Sequence, residues 1–420
     1  MQDKVIIVII ISTIAALLLL IVVLFLWSII RRIFNERKYR KLDHLREIYD
    51  KKLRTSLEAG DLSRTQSEFI APPKSNAWKA IEDILLCLIN EDKYQDEIKK
   101  LFSLSGYVSF YENQMKNRNV HVRALSIDKL GKMKSEASVS KLIPLLDEED
   151  AEIVSVAVRS LSKIGGREGL QAIIERLDGM LVRSIVSTKA LSMALQTFGA
   201  DAIPYLVEQK TGRADPWIVS SILEILSRLS ADPRSAHLAA EHLLSTNSEV
   251  RSKALKVLGR AENVHAVQNL PELILPLLQD PVWYVRLQAI RSIRALGYEE
   301  AAAPIGKLIF DQNWQVRNEA AQALIMLGER SLGVLLEVLT GADRYAKYSV
   351  CEEIEKTNFS ARLIENLKEN DQSLQEKSRQ ILEIMHSLGF STPLDGYLER
   401  GGDEAVKELI WKMKKTGSGV

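Results

Sequence analysis

Cysteine is nearly absent from this chain: Cys87 and Cys351 are the only two in 420 residues. They lie far apart, each inside a helical pattern, so no disulfide framework holds the fold together. Both read as small buried apolar residues of a reducing compartment. Histidine is scarce as well. Of His44, His121, His237, His242, His265 and His386, only His237 and His242 come close in sequence. Their spacing makes them diverge on a helix rather than share a metal. Net charge is almost nil, at +1, which excludes a surface built throughout for nucleic acid. Strand-like alternation of any length is missing after residue 30, which excludes the sheet-based fold classes. The chain is too long for one compact core and shows no clean boundary between two. Growth by stacked repeats satisfies both conditions.

What is present begins with an apolar run. Val5 to Ile30 carries no charge over 26 residues, and only Ser12, Thr13 and Ser28 in it are polar. A membrane-spanning helix needs about 20 such residues. A cleaved signal peptide would have a basic start, a shorter run and a small-residue cleavage site. Here the N-terminus offers only Asp3 and Lys4, and no such site follows. The reading is a transmembrane helix over 5–30. Arg31, Arg32, Arg37, Lys38, Arg40 and Lys41 follow it at once, and basic flanks stay in the cytoplasm. The expected localisation is the cell membrane, single-pass, with the N-terminus outside and everything after residue 31 cytoplasmic. The Asn358-Phe-Ser sequon is then without meaning.

Residues 31–59 read as a basic juxtamembrane helix. Arg31 to Arg54 holds ten Lys/Arg against four Asp/Glu, while 55–420 is mildly acidic. Leu42, Leu45, Tyr49, Leu53 and Leu57 mark one apolar face. Three roles stay open for that face: lying on anionic lipid, pairing with a second copy, or a solvated continuation of the span. Residues 60–76 lack periodicity and contain Pro72-Pro73, the composition of a tether.

Residues 77–118 read as an N-terminal helical cap of three segments, Trp78–Asn90, Gln95–Leu104 and Tyr107–Lys116. Self-similarity follows. NVHVRALSIDKLG from Asn119, SEVRSKALKVLG from Ser248, VWYVRLQAIRSIRALG from Val282 and NWQVRNEAAQALIMLG from Asn313 superimpose. Weaker copies start near Ile153, Val182 and Trp217. Each is followed by a second apolar helix, and the glycine closing the first supplies a left-handed turn. A two-helix unit cannot bury its apolar face alone, so the copies stack. The count is about seven repeats over 119–340, with a C-terminal helical cap over 341–420. The fold class is all-α, an α-solenoid of helix pairs with one N-terminal transmembrane helix.

The unit D-x-x-x-x-V-R-x-x-A-x-x-A-L-x-x-L-G resembles a HEAT repeat, of the bacterial type also seen in phycobilin lyases. The resemblance covers 119–340. It implies a ladder of Asp–Arg pairs between successive repeats. Asp280 with Arg286, and Asp311 with Arg317, keep the family's six-residue interval. Arg123 and Arg251 have Asn117 and Ser245 at the Asp position, which leaves the ladder incomplete. The span, the basic stalk, LFSLSGYVSFYENQMKNR and GADRYAKY together resemble a bacterial family of membrane-anchored HEAT proteins. That resemblance implies an association with membrane glycosyltransferases of polysaccharide export.

Catalysis needs a nucleophile, a base and a group to hold them, and no such constellation is legible. Ser160-Leu-Ser-Lys163 lies within a repeat helix, and Gly165-Gly-Arg-Glu-Gly169 is a turn between helices with no strand before it. No cofactor, metal or small-molecule substrate is expected. The aromatic constellation is more informative. Trp217, Trp283 and Trp314 each stand two residues before a motif valine. Two readings stay open for this position, a cover for the seam between repeats or a stripe for a partner; the shared Asp-x-x-Trp spacing assigns Trp283 and Trp314 to the partner and leaves Trp217 structural. The first functional class is a scaffold holding a protein partner, a membrane enzyme among the candidates, at the membrane. The rivals are an enzyme of HEAT-like type (bilin lyase or alkylpurine DNA glycosylase) and a lipid-sensing or oligomerising protein. The acidic repeat region and the anchor oppose a search along DNA. A reporter active only outside the cytoplasm, fused at the C-terminus, is expected to stay silent; activity would reverse the topology.

Overall fold

The computed structural model describes residues 2–208, 215–229, 232–260, 267, 269–400 and 403–417. The side chains of residues 2–18, 33–35, 38, 63 and 416–417 fall outside the description, and so does His265. The described residues are helix and turn, without strand. They form two compact units, residues 1–173 and 174–420.

Unit 1 opens with α1 (Gln2–Glu58), one uninterrupted helix. A short α2 (Leu62–Thr65) and a 3₁₀ turn, Gln66–Phe69, follow. Then come α3 (Asn76–Leu88), α4 (Gln95–Leu104), α5 (Tyr107–Gln114), α6 (Val120–Lys132), α7 (Val139–Leu142), α8 (Ala151–Ile164) and α9 (Arg167–Glu175). The unit boundary lies within α9. The three early segments are α3, α4 and α5 as the sequence places them. An aromatic cluster joins them: Trp78 and Tyr107 stack at 3.8 Å, and Phe102 meets Tyr107 edge-on at 5.8 Å. The Tyr107 hydroxyl donates to the Trp78 carbonyl at 2.8 Å, and Tyr111 donates to Glu82 at 2.7 Å. Burial, with Glu82 adding to it, pushes both phenol pKa values well up.

The part of α1 over residues 31–58 resolves the open question about its apolar face. Leu42, Leu53 and Leu57 are buried, with α1 packed along α3. Arg46 pairs with Asp83, and Arg54 reaches Glu91 at 3.4 Å. The stripe is therefore spent on the chain's own repeat unit, not on lipid or a second stalk. The expected tether over 60–76 is also not free. Phe69 is 1% exposed and Ala71 is buried, so this segment is folded down as a short helix and turn. Its Pro-Pro dipeptide breaks the helix without releasing the chain.

Further on, α10 (Leu177–Val182), α11 (Thr188–Gln196), α12 (Ala202–Glu208), α13 (Pro216–Leu226), α14 (Pro233–Glu241), α15 (Ser248–Leu258), α16 (Leu270–Ile274), α17 (Trp283–Leu296), α18 (Ala302–Lys307), α19 (Trp314–Met326) and α20 (Leu332–Thr340) complete the repeat region. The first helices α11, α13, α15, α17 and α19 pack on one another in order, and α21 (Arg344–Lys356) follows in the same row. After α22 (Phe359–Asn366) the pattern changes: α23 (Gln372–Ser387) packs on the second helix α20. The chain closes with α24 (Thr392–Arg400), which has no counterpart in the sequence reading, and α25 (Glu404–Gly417).

Local sequence explains the helix starts. Asn119, Asp150, Ser187, Asp215, Asn247, Asn313, Asp343 and Asp371 each cap a helix, their side chains accepting from backbone N–H groups of the first turn. Such a cap is worth about 1 kcal/mol. The second helices are short because proline enters them. Pro144 and Pro276 tighten Ile143–Asp147 and Leu275–Gln279 into 3₁₀ turns.

Two local expectations need correction. Cys351 is buried, and burial pushes its thiol pKa up to about 12, but Cys87 is exposed. The glycines ending the first helices also do not share one role. Gly297 has φ +67 and closes α17 in the left-handed region. Gly131 lies inside α6, and the left-handed residue there is Lys134, at φ 50. A Cβ built on Gly131 would stand 2.7 Å from the Ser160 Cα. This glycine is there so that two helices can touch. Gly131→Ala is expected to lower stability by about 1–3 kcal/mol through overpacking, against a helix-propensity gain of about 1. Gly333→Ala, at an open helical position, keeps only the gain. Urea melts of both variants check the opposite signs.

Candidate functional site

The turn that leads from one second helix to the next first helix recurs with the same backbone. Asp280 and Asp311 close their 3₁₀ turns at φ/ψ −57/139 and −59/148, each two residues before a helix cap. Their carboxylates are nearly buried. Arg251 on α15 grips Asp280 with two bonds, Nε at 2.7 Å and Nη2 at 2.9 Å. Arg286 on α17 grips Asp311 the same way, both at 2.7 Å. The remaining nitrogen, Nη1, donates to main-chain carbonyls: Ser245 at 2.8 Å for Arg251, and Asp280 at 2.8 Å for Arg286.

This geometry corrects the pairing inferred from the six-residue interval. Arg286 meets Asp280 only through the main chain, and its carboxylate partner is Asp311, in the following repeat. Ser245 in place of Asp does not break the rung at Arg251, because a carbonyl is all that position has to supply. In unit 1, Arg123 likewise bonds the Met115 carbonyl at 3.1 Å and pairs with Glu148, two residues before a cap. Arg317 keeps the main-chain anchor, to Asp311 at 2.8 Å and Gln312 at 3.2 Å, but makes no hydrogen bond or ion pair to a carboxylate among the described residues, feeling Asp311 only through its field.

A second set of charges crosses between first helices one turn further on. Glu224 on α13 holds Lys253 and Lys256 of α15, and Glu319 on α19 holds Arg291 and Arg294 of α17. Burial opposes ionisation of Glu224, yet the two lysines prevail and depress its pKa to about 2. For Asp311 the burial effect is likewise outweighed by Arg286 and by the Asn313 N–H, and its pKa lies below the ordinary 3.8.

On the outer side of these turns lie aromatic and aliphatic side chains facing solvent. Trp217, Trp283 and Trp314 are 57%, 38% and 60% exposed, so none of them is buried in a seam. They do not form one column. Trp283 and Trp314 occupy the first position of their helices, whereas Trp217 takes the second, its N–H bonded to the Asp215 cap. The motif aliphatic in α13 is therefore Ile218, and Trp217 is turned about 100° round the helix. Three neighbours escaped the sequence reading. Tyr345, 84% exposed, is the second residue of α21. Leu244 and Phe310 are both exposed and both stand three residues before a cap. Counting from the capping residue, not from the valine, would have found all three. Tyr284 is tied inward, its hydroxyl 2.7 Å from that of Ser248. The result is a set of exposed apolar side chains at successive turns from α13 to α21.

In the basic cluster, Arg31, Arg32, Arg37, Arg40 and Lys41 are exposed, and the Lys38 side chain falls outside the description. Arg32 and Arg40 both approach Glu36. Among the described residues no three His, Cys, Asp or Glu side chains come together as a metal site.

Residues 110–192 and 270–355 match a family profile described as HEAT repeats. No curated protein sequence matches the chain. Among solved structures, an engineered protein 18% identical aligns over 74% of this chain and 98% of its own, with a TM-score of 0.37. Another engineered protein, also 18% identical, aligns over 60% of this chain and 97% of its own, with a TM-score of 0.28.

The ladder geometry makes the two arginines unequal. Arg286→Ala leaves Asp311 buried without its partner and is expected to cost about 3–5 kcal/mol. Arg317→Ala strands only carbonyls near solvent and is expected to cost about 1. Asp311 and Glu224 have folded pKa values below their unfolded ones, so their contribution is present above the unfolded values and is lost as pH falls through the depressed folded ones, about 2 for Glu224. Equal melting temperatures for the two variants at neutral pH would contradict this asymmetry.

Proposed function

We propose that this chain is a single-pass membrane protein whose helical repeats, of HEAT type throughout 119–340, act as a cytoplasmic scaffold for a protein partner. The observation that carries the reading is the edge of α13–α21, where exposed Trp217, Leu244, Trp283, Phe310, Trp314 and Tyr345 recur at successive turns. Tryptophan and tyrosine are concentrated at the energetic centres of protein interfaces. Large apolar side chains exposed at one turn after another support an interaction surface.

The anchor is argued separately. Among the described residues no helix is long and apolar enough to cross a membrane. More than half of the 5–30 run, however, has side chains outside the description. In the part that is described, Leu19 to Leu26, Trp27, Ile29 and Ile30 are exposed all round α1, with no protein covering them. A helix apolar on every side needs an apolar surround. Arg31 over the Trp27 ring, at 5.3 Å, is the kind of aromatic–basic pair found at the lipid–water boundary. Anchoring confines the scaffold to two dimensions and favours a partner that is itself membrane-bound. The resemblance described above points to a membrane glycosyltransferase.

Trp283→Ala with Trp314→Ala is expected to leave the fold intact, because neither ring belongs to the buried core, and to weaken partner capture by about 2 kcal/mol or more. Crosslinking from intact membranes, followed by comparison of recovered proteins with wild type, checks it. A double variant that stays folded and recovers every wild-type partner would remove the edge from consideration.

A further inference from the structure

The ladder of arginines ends one rung short. Gly341 stands where Asp280 and Asp311 stand in the two preceding repeats. Like them it closes a second helix in extended backbone, at φ/ψ −61/179, two residues before the cap, here Asp343. Arg317 is held as its two predecessors are, with Nη1 on a pair of main-chain carbonyls. In Arg251 and Arg286 the other edge of the guanidinium, Nε and Nη2, closes on a carboxylate. In Arg317 that edge has no partner among the described residues. The nearby Asp343 carboxylate instead accepts from the Ala346 N–H at 3.0 Å. Arg344 and Lys347 add positive charge to the same turn. Trp314, Phe310 and Tyr345 expose apolar surface around it.

We propose that Arg317 is a preorganised carboxylate receptor, and that an acidic side chain of a docked protein segment supplies the missing rung. This rests on the reading of the α13–α21 edge as a docking surface, and it specifies the chemistry of what docks. A planar guanidinium fork fixed at one end presents two parallel N–H donors, which match a carboxylate and no neutral side chain as well. The segment carries Asp or Glu next to aliphatic or aromatic residues that lie on Trp314 and Tyr345. The acidic residue sets register along an edge that repetition would otherwise leave ambiguous.

The test fills the gap in cis. A Cβ on Gly341 would meet main-chain oxygens of α20 at 3.2 and 3.5 Å, and the backbone there suits any residue. Gly341→Asp should fold, pair with Arg317, raise the melting temperature and occupy the receptor. Random short peptides displayed on phage are selected on the full-length protein in detergent micelles. The selected peptides are expected to share an acidic residue flanked by apolar ones. Changing that residue to its amide, Gly341→Asp and Arg317→Met should each weaken binding by about tenfold or more, while Gly341→Ala leaves it unchanged. Selection without acidic enrichment, no selection at all, or binding indifferent to Gly341→Asp would overturn the receptor. If binding is indifferent to Gly341→Asp yet falls with Trp283→Ala and Trp314→Ala, the docking edge stands and only the receptor fails. If the tryptophan changes are without effect as well, both readings fail.

Discussion

The first helices α13, α15, α17 and α19 are each covered on two flanks by others like them. The apolar surface of each is too wide for one partner, and water cannot cover it without a cost of about 25 cal/mol per Å². The rest follows from that requirement. The helices must approach closely, so Gly131 faces Ser160, and Gly259 faces Ser292 with room for only 3.1 Å. The Ser292 hydroxyl, trapped in that contact, donates to the Leu255 carbonyl of the neighbouring helix at 2.6 Å. Charges at the rim of the contact are drawn into cross-helix pairs such as Glu224 with Lys253 and Lys256. The turns take no part in this coverage. They lie outside the contact, and that is where the chain can leave tryptophan in solvent without unfolding.

The arginine ladder uses one side chain for two tasks that a lysine could not combine. Nη1 satisfies carbonyls left open where a second helix ends, and the opposite fork binds a carboxylate one repeat on. The same guanidinium thus closes its own turn and ties it to the next. The arrangement also explains why the Asp311 carboxylate stays ionised while nearly buried: the charge-assisted bonds from Arg286 outweigh the loss of hydration.

Helix existence was readable because it depends on local periodicity and on capping residues, and both are written in the chain. The helices from α6 to α20 stand close to where the repeats of Val-Arg and Leu-Gly place them. What depended on partners was not readable. The interval between Asp280 and Arg286 is real, but it encodes a main-chain contact, and the carboxylate partner lies in a different copy of the motif. Trp217 aligned with Trp283 when counted to the nearest valine and separated from it when counted from the cap, since Ile218 and Val219 are equally apolar. The stripe Leu42–Leu57 announced an amphipathic helix without saying what would cover it, because lipid, a second stalk and α3 all demand the same pattern. Phe69 belonged to a segment whose prolines suggested freedom, and only its burial reveals that the segment is held down.

The packing of α1 on α3 leaves no swivel between the apolar N-terminal part of the chain and unit 1. A helix of 57 residues is about 85 Å long, and its last third is clamped by Leu53, Leu57, Arg46 and Arg54. Unit 1 is therefore geared to the helix. One residue inserted between Arg31 and Leu42 would turn the unit by about 100° and lift it by about 1.5 Å, whereas four would nearly restore its bearing. The azimuth of the apolar end of α1 would become the compass heading of the helices clamped at its other end. Torque applied at either end would be felt at the other.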